Sequence, residues 1–423
     1  MNMLDIKFIR ENPDLVNAAA RKKHLLFNVE ELIKLDDLRR EKIREVEAMR
    51  AEANAVAEAV PKITNEVDRQ RAIEGMRSFK VKLVEKEKEQ SIVEEKYKAL
   101  MFEVPNIPDP SVPEGTSDAE NQEVRVWGTK PEFEFEPKDH VAILKDLDLV
   151  DFERGTKVAG FRGYVLKREA VLLSMALWQF AIQYLQQKKY APLIVPSLAR
   201  EENFMGTGYF PQAREETYAA DEDLYLVGTG EVSTMGMFRD EIFSELDFPK
   251  KYAAFSPCFR REIGAHGKDT KGLYRVHEFM KVEQIVLCKA DHTESVRLHE
   301  EIRENAESML QALGLHYRVV LNAGGDLGLG QVKKYDIETW IPSQARFGET
   351  HSASYFHDFQ TRRLNIRYRD SEGVIRFAHS LNNTAVATPR LLISILEQNQ
   401  RSDGSINIPE PLRVYIGADE IRR

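Results

Sequence analysis

Apolar and polar positions along this chain fall into three regimes. From about residue 29 to 59 they repeat at helical spacing. Leu35, Leu38, Ile43, Val46, Met49, Ala53 and Val56 form one stripe among many charged residues, and Pro61 ends the run. A second helical run covers about 66–102, with Ile73, Met76, Leu83, Val93, Tyr97 and Leu100 facing inward. Two long helices joined by a short turn predict an antiparallel coiled-coil hairpin, although neither stripe keeps a strict heptad. Residues 1–24 predict a short helix, with Asn12-Pro13 opening a further turn.

The second regime is short. Residues 106–122 hold Pro108, Pro110 and Pro113 and few apolar residues, which predicts an extended linker and a domain boundary. In the third regime, 123–423, short β-rich runs alternate with amphipathic helices. Glu169–Lys188 reads as a long helix, and Tyr190–Arg200 as a strand interrupted by Pro192 and Pro196. Further strands are expected at Tyr225–Gly228, Tyr252–Arg261, Leu273–Val286, Tyr317–Asn322, Tyr335–Ile341 and Arg362–Tyr368. Close-set strands with helices beside them predict an α+β fold on a mostly antiparallel sheet.

Composition narrows the class. The 423 residues are 42% hydrophobic and 30% charged, enough for a large core in two or three domains. No run of about 18 apolar residues predicts a membrane span. Asp5, Glu11 and Asp14 break up the N-terminal apolar positions, so neither a signal nor a transit peptide is expected, and the cytoplasm is the default compartment. The two cysteines, Cys258 and Cys288, are too few for a disulfide framework or a four-cysteine zinc site, so no zinc is expected. A net charge of −9 argues against indiscriminate nucleic-acid binding, but a local basic surface would suffice for a specific RNA. Neither a Walker lysine–serine pair nor a convincing Gly-x-Gly-x-x-Gly is present, which disfavours P-loop and Rossmann nucleotide sites.

The candidate chemistry centres on Phe259-Arg260-Arg261-Glu262 and Arg275-Val276-His277-Glu278-Phe279. Between them the loop Ile263–Tyr274 carries Gly264, Gly267 and Gly272 among Lys268, Asp269 and Lys271. The pattern reads as strand, loop, strand. Arg260 could hold a phosphate through its guanidinium fork, and the glycine-rich loop could close over a polyanion. By itself this is also the pattern of a hairpin with a charged tip.

The arrangement resembles motif 2 of the class II aminoacyl-tRNA synthetases and, more narrowly, of the seryl-tRNA synthetases. Other segments match that family in order: Met3–Pro13 at the opening, Asn106–Pro113 at the linker, Thr229-Gly230-Glu231, Asp326-Leu327-Gly328, Lys334–Pro342, Asp358-Phe359-Gln360 and Leu381–Arg390. The resemblance implies an N-terminal tRNA-binding domain over 1–105, with a helical arm at about 29–102, and a class II catalytic domain over 123–423. Arg39, Arg40, Arg44, Arg50, Lys62, Arg69, Arg71, Arg77, Lys80 and Lys82 are candidate phosphate contacts on the arm. Without the resemblance, a spacer or dimerisation arm is the plainer reading. Glu169–Arg200 resembles motif 1 with its dimer-forming helix and strand, and Pro196 as its proline.

The resemblance also implies roles. Arg260 and Arg390 would be the catalytic cations, at the α- and γ-phosphates. Arg261, Glu262, Val276, Glu349, Thr350, His351 and Ser352 would join them around ATP, with Glu349 and Ser352 holding Mg2+. Thr229, Gly230, Glu231, Arg260, Glu283, Asn382 and Thr384 would select L-serine. Thr388-Pro389 reads as an N-cap and N1 pair placing Arg390 in the first turn of the last long helix. Two positions depart from the family: His351 replaces a serine, and Asn382–Pro389 replaces a glycine-spaced motif 3, with Thr384 adding a methyl where a serine is usual. The expected function is a cytoplasmic, homodimeric serine–tRNA ligase acting on tRNA(Ser), and on tRNA(Sec) where that tRNA exists. The alternative is a catalytically inactive RNA-binding paralogue.

Overall fold

A computed structural model describes residues 5–263 and 271–423. Residues 264–270 of the expected glycine-rich loop, and Met3 and Leu4 of the opening motif, lie outside the described residues. The chain divides into two compact units, one of residues 2–21 and 25–105 and a larger one containing 22–24 and 106–423.

In the smaller unit, helices Ile6–Glu11 and Pro13–Lys22 precede α1 (Val29–Ala59) and α2 (Glu66–Phe102). Asn28 and Asn65 cap the long helices by accepting backbone N–H groups of their first turns. Lys42–Glu89 (2.6 Å), Arg50–Glu87 (2.7 Å) and Arg39–Glu94 (3.5 Å) cross between the helices, so these run antiparallel. Such exposed pairs fix register more than they stabilise. The expected stripe holds except at Leu38, which is exposed. Asp36 takes the inward place instead, fully buried among Arg10, Arg39 and Arg40 at 2.8–3.0 Å. Arg39 also lies 4.4 Å above the Tyr97 ring. Arg39 and Arg50, two of the candidate phosphate contacts, are thus engaged in holding the hairpin together.

The larger unit is built on an eight-stranded sheet. Its strands are β1 (Gln122–Trp127), β2 (Ala191–Ile194), β3 (Lys250–Phe259), β4 (Glu278–Cys288), β5 (Tyr317–Leu321), β6 (Lys333–Ile341), β7 (Arg346–His357) and β8 (His379–Thr388). Their spatial order is β1-β5-β6-β7-β8-β4-β3-β2, antiparallel throughout except for the parallel pair β2–β3. Residues 106–117 contain neither helix nor strand, but they are not a free tether. Asn106 N–H donates to Leu329 and its side chain to Gly330 and Phe356, while Tyr355 donates to Asp109 (2.9 Å).

Strand periodicity divides the sheet into two faces. On β4, Val282, Val286 and Cys288 join the core made with helices α3 (Glu169–Gln187) and α5 (His292–Ala312), including Leu173, Leu177, Leu298 and Ile302. Gln284 on β4 and Asn383 on β8 both donate to the Ile302 carbonyl, so the amide nitrogens buried on this face are paired. The other face of β4 therefore presents Phe279, Lys281 and Glu283. Helices α4 (Gly230–Gly236) and α6 (Phe359–Arg363) pack on that side, and α7 (Arg390–Gln398) follows β8.

Three expectations need correction. Residues 362 and 363 of the expected strand Arg362–Tyr368 belong to helix α6, where Arg362 pairs with Asp358 four residues earlier (2.6 Å). Only Arg367–Arg369 is strand, in a separate small sheet. The strand expected from Leu273 begins at Glu278, because residues 273 and 274 spend their backbone groups on His140 and Arg390. Thr388 does not cap α7. Its hydroxyl accepts from Trp178 Nε1 and donates to the Met280 carbonyl, and Pro389 precedes the helix rather than starting it.

Candidate active site

Two chemically distinct compartments meet on the free face of β3, β4 and β8. The first is small, buried and polar. Thr229 caps α4 with its side chain and is itself buried. Its hydroxyl makes a short hydrogen bond to Glu283 and accepts from Lys281 Nζ (2.7 Å). Glu283 also accepts from the Glu231 N–H (3.1 Å) and pairs with Lys281 (2.9 Å). Gly230 lets α4 approach this closely, since a Cβ there would lie 3.1 Å from Ser256 Oγ. The Glu231 carboxylate accepts from Gln360 (2.6 Å) and Tyr209 (2.9 Å), and Ser380 holds the Gln360 amide (2.7 Å). Burial pushes the Glu231 pKa up to about 7, with the neighbouring Glu283 adding to the effect. Thr384 stands directly across from Glu283 in the β4–β8 register, and Asn382 lies on the same face two residues away.

The second compartment is a cleft with cationic walls. Arg260, Glu262, Tyr274, Arg275, Val276 and Phe279 line one side, and Glu349, Thr350, Thr384, Thr388 and Arg390 line the other. Arg260 follows β3. Its Nε donates to the Gly228 carbonyl (3.3 Å), and its guanidinium lies 5.4 Å from the Phe279 ring. Glu262 has φ +54° and pairs with Arg275 (3.2 Å) and, more distantly, with Arg162 (3.8 Å). Arg390 opens α7. It pairs with the Glu349 carboxylate (3.3 Å) and donates to the Glu349 and Tyr274 carbonyls. Lys281 belongs to both compartments, as it also lines this cleft.

Not every expected ligand residue reaches the cleft. Arg261 turns away, donating to the Glu215 carbonyl (3.2 Å) from an exposed position. His351 is buried with both ring nitrogens engaged, Nδ1 with Thr350 Oγ1 (2.8 Å) and Nε2 with the Ala385 carbonyl (3.1 Å). Burial lowers its pKa to about 4, so it is a neutral packing residue with no nitrogen left for a phosphate here. Ser352 alternates with the core residue Ala353, which puts it on the site side of β7, level with Asp336 of β6. Cys258 and Cys288 are buried free thiols.

Two residues of the site lie outside the expected set, Lys281 and Tyr209. Lys281 had a signal: it precedes Glu283 by two residues in a strand and must share its face. Tyr209 had none, since only the fold carries it to Glu231.

Comparison with known proteins covers most of the chain. Residues 3–108 match the model of the seryl-tRNA synthetase N-terminal domain, and residues 215–399 match the class II tRNA synthetase core domain (G, H, P, S and T). The serine–tRNA ligase of Deinococcus radiodurans is 45% identical over 421 residues, covering 99% of both chains. That of Rubrobacter xylanophilus is 41% identical with the same coverage. Among solved structures, seryl-tRNA synthetase from Pyrococcus horikoshii complexed with ATP aligns with TM-score 0.88 at 40% identity, over 99% of each chain. The cytoplasmic serine–tRNA ligase from Naegleria fowleri in complex with AMP aligns with TM-score 0.84 at 31% identity, over 100% of this chain and 99% of that one.

Proposed function

The chain belongs to the seryl-tRNA synthetase family and is a serine–tRNA ligase; from that premise we propose how its own residues divide the work. The observation that carries the assignment is the adjacency of the two compartments. A buried hydroxyl–carboxylate–ammonium cluster adjoins, through Lys281, a cleft walled by arginines. An inactive RNA-binding paralogue would have no reason to keep both.

Activation brings the serine carboxylate to the α-phosphorus of ATP. The new C–O–P bond forms as the bond to pyrophosphate breaks. Both reactants are anionic, so the barrier falls chiefly through positioning and fixed positive charge. Arg260, at the junction of the compartments, holds the serine carboxylate against the α-phosphate. Arg390 takes the γ-phosphate at the start of α7, where the helix dipole adds to its charge. To do so it exchanges Glu349 for phosphate. Val276 and Phe279 line the base side, and Glu262 accepts from the adenine amine.

Glu349 and Ser352 are the residues proposed for Mg2+. Both offer oxygen, the donor magnesium prefers, and nearly half of the Glu349 side chain remains exposed at the cleft. The ion would neutralise phosphate charge. In the buried compartment Thr229, Glu231 and Glu283 receive the ammonium and hydroxyl of serine, with Asn382 and Thr384 as the wall. Lys281 pairs with Glu283 and aims its carboxylate. A site built of hydroxyl-binding groups rejects alanine strongly, because the groups would be left unpaired.

The seryl group then passes to the 3′-terminal ribose of tRNA(Ser), and of tRNA(Sec) where it exists. The α1–α2 arm is proposed as the tRNA grip. Support for a homodimer comes from apolar residues left exposed on α3 and β2, namely Val171, Leu172, Met175 and Ile194. No helix among the described residues is long and apolar enough to cross a membrane. The compartment proposed is the cytoplasm, where charged tRNA is consumed.

Amino-acid-dependent ATP–pyrophosphate exchange tests this reading, with serine beside threonine, alanine, glycine and cysteine. Exchange strongly favouring serine is expected. A folded protein that exchanges with none of them would remove the assignment of these residues.

A further inference from the structure

Arg390 is the first residue of α7, and Glu397 lies two turns further along the same helix, fully buried. What Glu397 binds is distant in sequence. One carboxylate oxygen accepts from both the backbone N–H and the Nδ1 of His140, each at 2.9 Å, and the other accepts from the Ser343 N–H (3.1 Å). His140 is likewise buried, at the start of helix His140–Asp146. Its remaining nitrogen, Nε2, accepts from the Leu273 N–H (3.2 Å). A backbone amide can only donate, so Nε2 carries the lone pair and Nδ1 carries the proton that Glu397 accepts. Both neighbours therefore enforce the same neutral tautomer.

The approach is tight. Gly272 has φ +82°, and a Cβ there would lie 2.2 Å from His140 Nε2, so only glycine fits. The next residue but one, Tyr274, gives its carbonyl to Arg390 Nε (3.2 Å). Residues 272–274 are thus pinned to α7 twice, at its first residue through Arg390 and at Glu397 through His140. They lead directly into Arg275 and Val276 of the cleft.

We propose that His140 is a positioning residue for amino-acid activation. It locks the entry to β4 onto the helix that carries the phosphate clamp, so that the base-side wall and Arg390 keep one relative geometry. It touches neither ATP nor serine. The inference rests on the reading of Arg390 as that clamp.

The test uses the full-length enzyme and two variants. In His140→Asn the amide sits near the δ position, can still donate to Glu397, and leaves the Leu273 N–H without its acceptor. In His140→Gln a carbonyl oxygen reaches the ε position. Losing one such hydrogen bond should raise the KM for ATP in pyrophosphate exchange about tenfold in His140→Asn. The KM for serine should stay within about twofold, and His140→Gln should recover most of the loss. Hydrogen exchange read at single residues should show the Leu273 amide protected in the unaltered enzyme and at least about tenfold faster in His140→Asn.

An unchanged KM for ATP in folded His140→Asn, or equal rises for ATP and serine, overturns the proposal. So does a Leu273 amide that exchanges in the unaltered enzyme as fast as an unstructured one, and this measurement decides even if neither variant folds. The clamp reading fails separately: Arg390→Ala with near-normal exchange would sink it, whereas a silent His140→Asn would not.

Discussion

The Arg390 guanidinium lies over the ring of Tyr274, 4.6 Å from its centroid, while its Nε donates to the carbonyl of the same residue. One residue therefore presents both a π-face and a carbonyl to the cation that we assign to the γ-phosphate. This holds the guanidinium in place while its charge stays available to exchange Glu349 for phosphate. Tyr274→Ala is expected to raise the KM for ATP about fivefold, the scale of one cation–π contact, and Tyr274→Phe to change it little. Steady-state exchange kinetics at saturating serine check this.

Arg260→Ala and Arg390→Ala should each lower serine-dependent pyrophosphate exchange by about 10²–10³, as expected for removing a preorganised charge at a developing anion. Among the described residues the Arg260 side chain bonds only the Gly228 carbonyl, so its removal should leave the thermal midpoint in place. Removing Arg390 strips the Glu349 and Tyr274 carbonyls of their donor and should lower the midpoint modestly, so exchange is compared on folded protein. Near-normal exchange in either variant removes its assigned role.

Glu231 gives a pH signature. Burial raises its carboxyl to about 7, above its ordinary value of 4.5. The folded state thus binds the proton more tightly than the unfolded one. Its contribution to stability is favourable at low pH and is lost as pH rises from about 4.5 to about 7. Binding the serine ammonium requires the ionised form, so the KM for serine should fall as pH rises from about 6 to 8. Glu231→Gln should weaken serine binding and flatten that dependence. A dependence unchanged in the variant would show that another group is responsible.

Thr384 faces Glu283 across the sheet, and we propose that its methyl narrows the serine compartment. Thr384→Ser should admit threonine, raising kcat/KM for threonine-dependent exchange about tenfold, the scale of one methyl group, with little effect on serine. Equal threonine discrimination in the two proteins would mean that the wall lies elsewhere.

Deleting residues 30–100 removes α1 and α2 almost entirely. Serine activation should survive, and aminoacylation of tRNA(Ser) should fall by orders of magnitude through loss of the phosphate contacts. Charging at an unchanged rate would exclude the arm as the tRNA grip.

The sequence by itself determined the elements whose signal is local. Both arm helices fall where their stripes put them, because 3.6-residue periodicity is a property of neighbours along the chain. The family motifs likewise named Arg260, Glu283 and Arg390, which the sheet brings to one face. What the tertiary structure decided is what those residues do when other parts of the chain arrive. Leu38 lost its inward place to Asp36, because three arginines converge on that carboxylate and outweigh the burial of one leucine. His351 became a packing residue, because the carbonyl of Ala385 on the adjacent strand claims its second nitrogen. Lys281, Tyr209 and Gln360 gathered around Thr229, Glu231 and Glu283, and His140 met Leu273 across 133 residues of sequence. Burial is the reason in each case. Inside the fold a polar group must find a partner, and which partner it finds is set by the packing of strands and helices that no local pattern encodes.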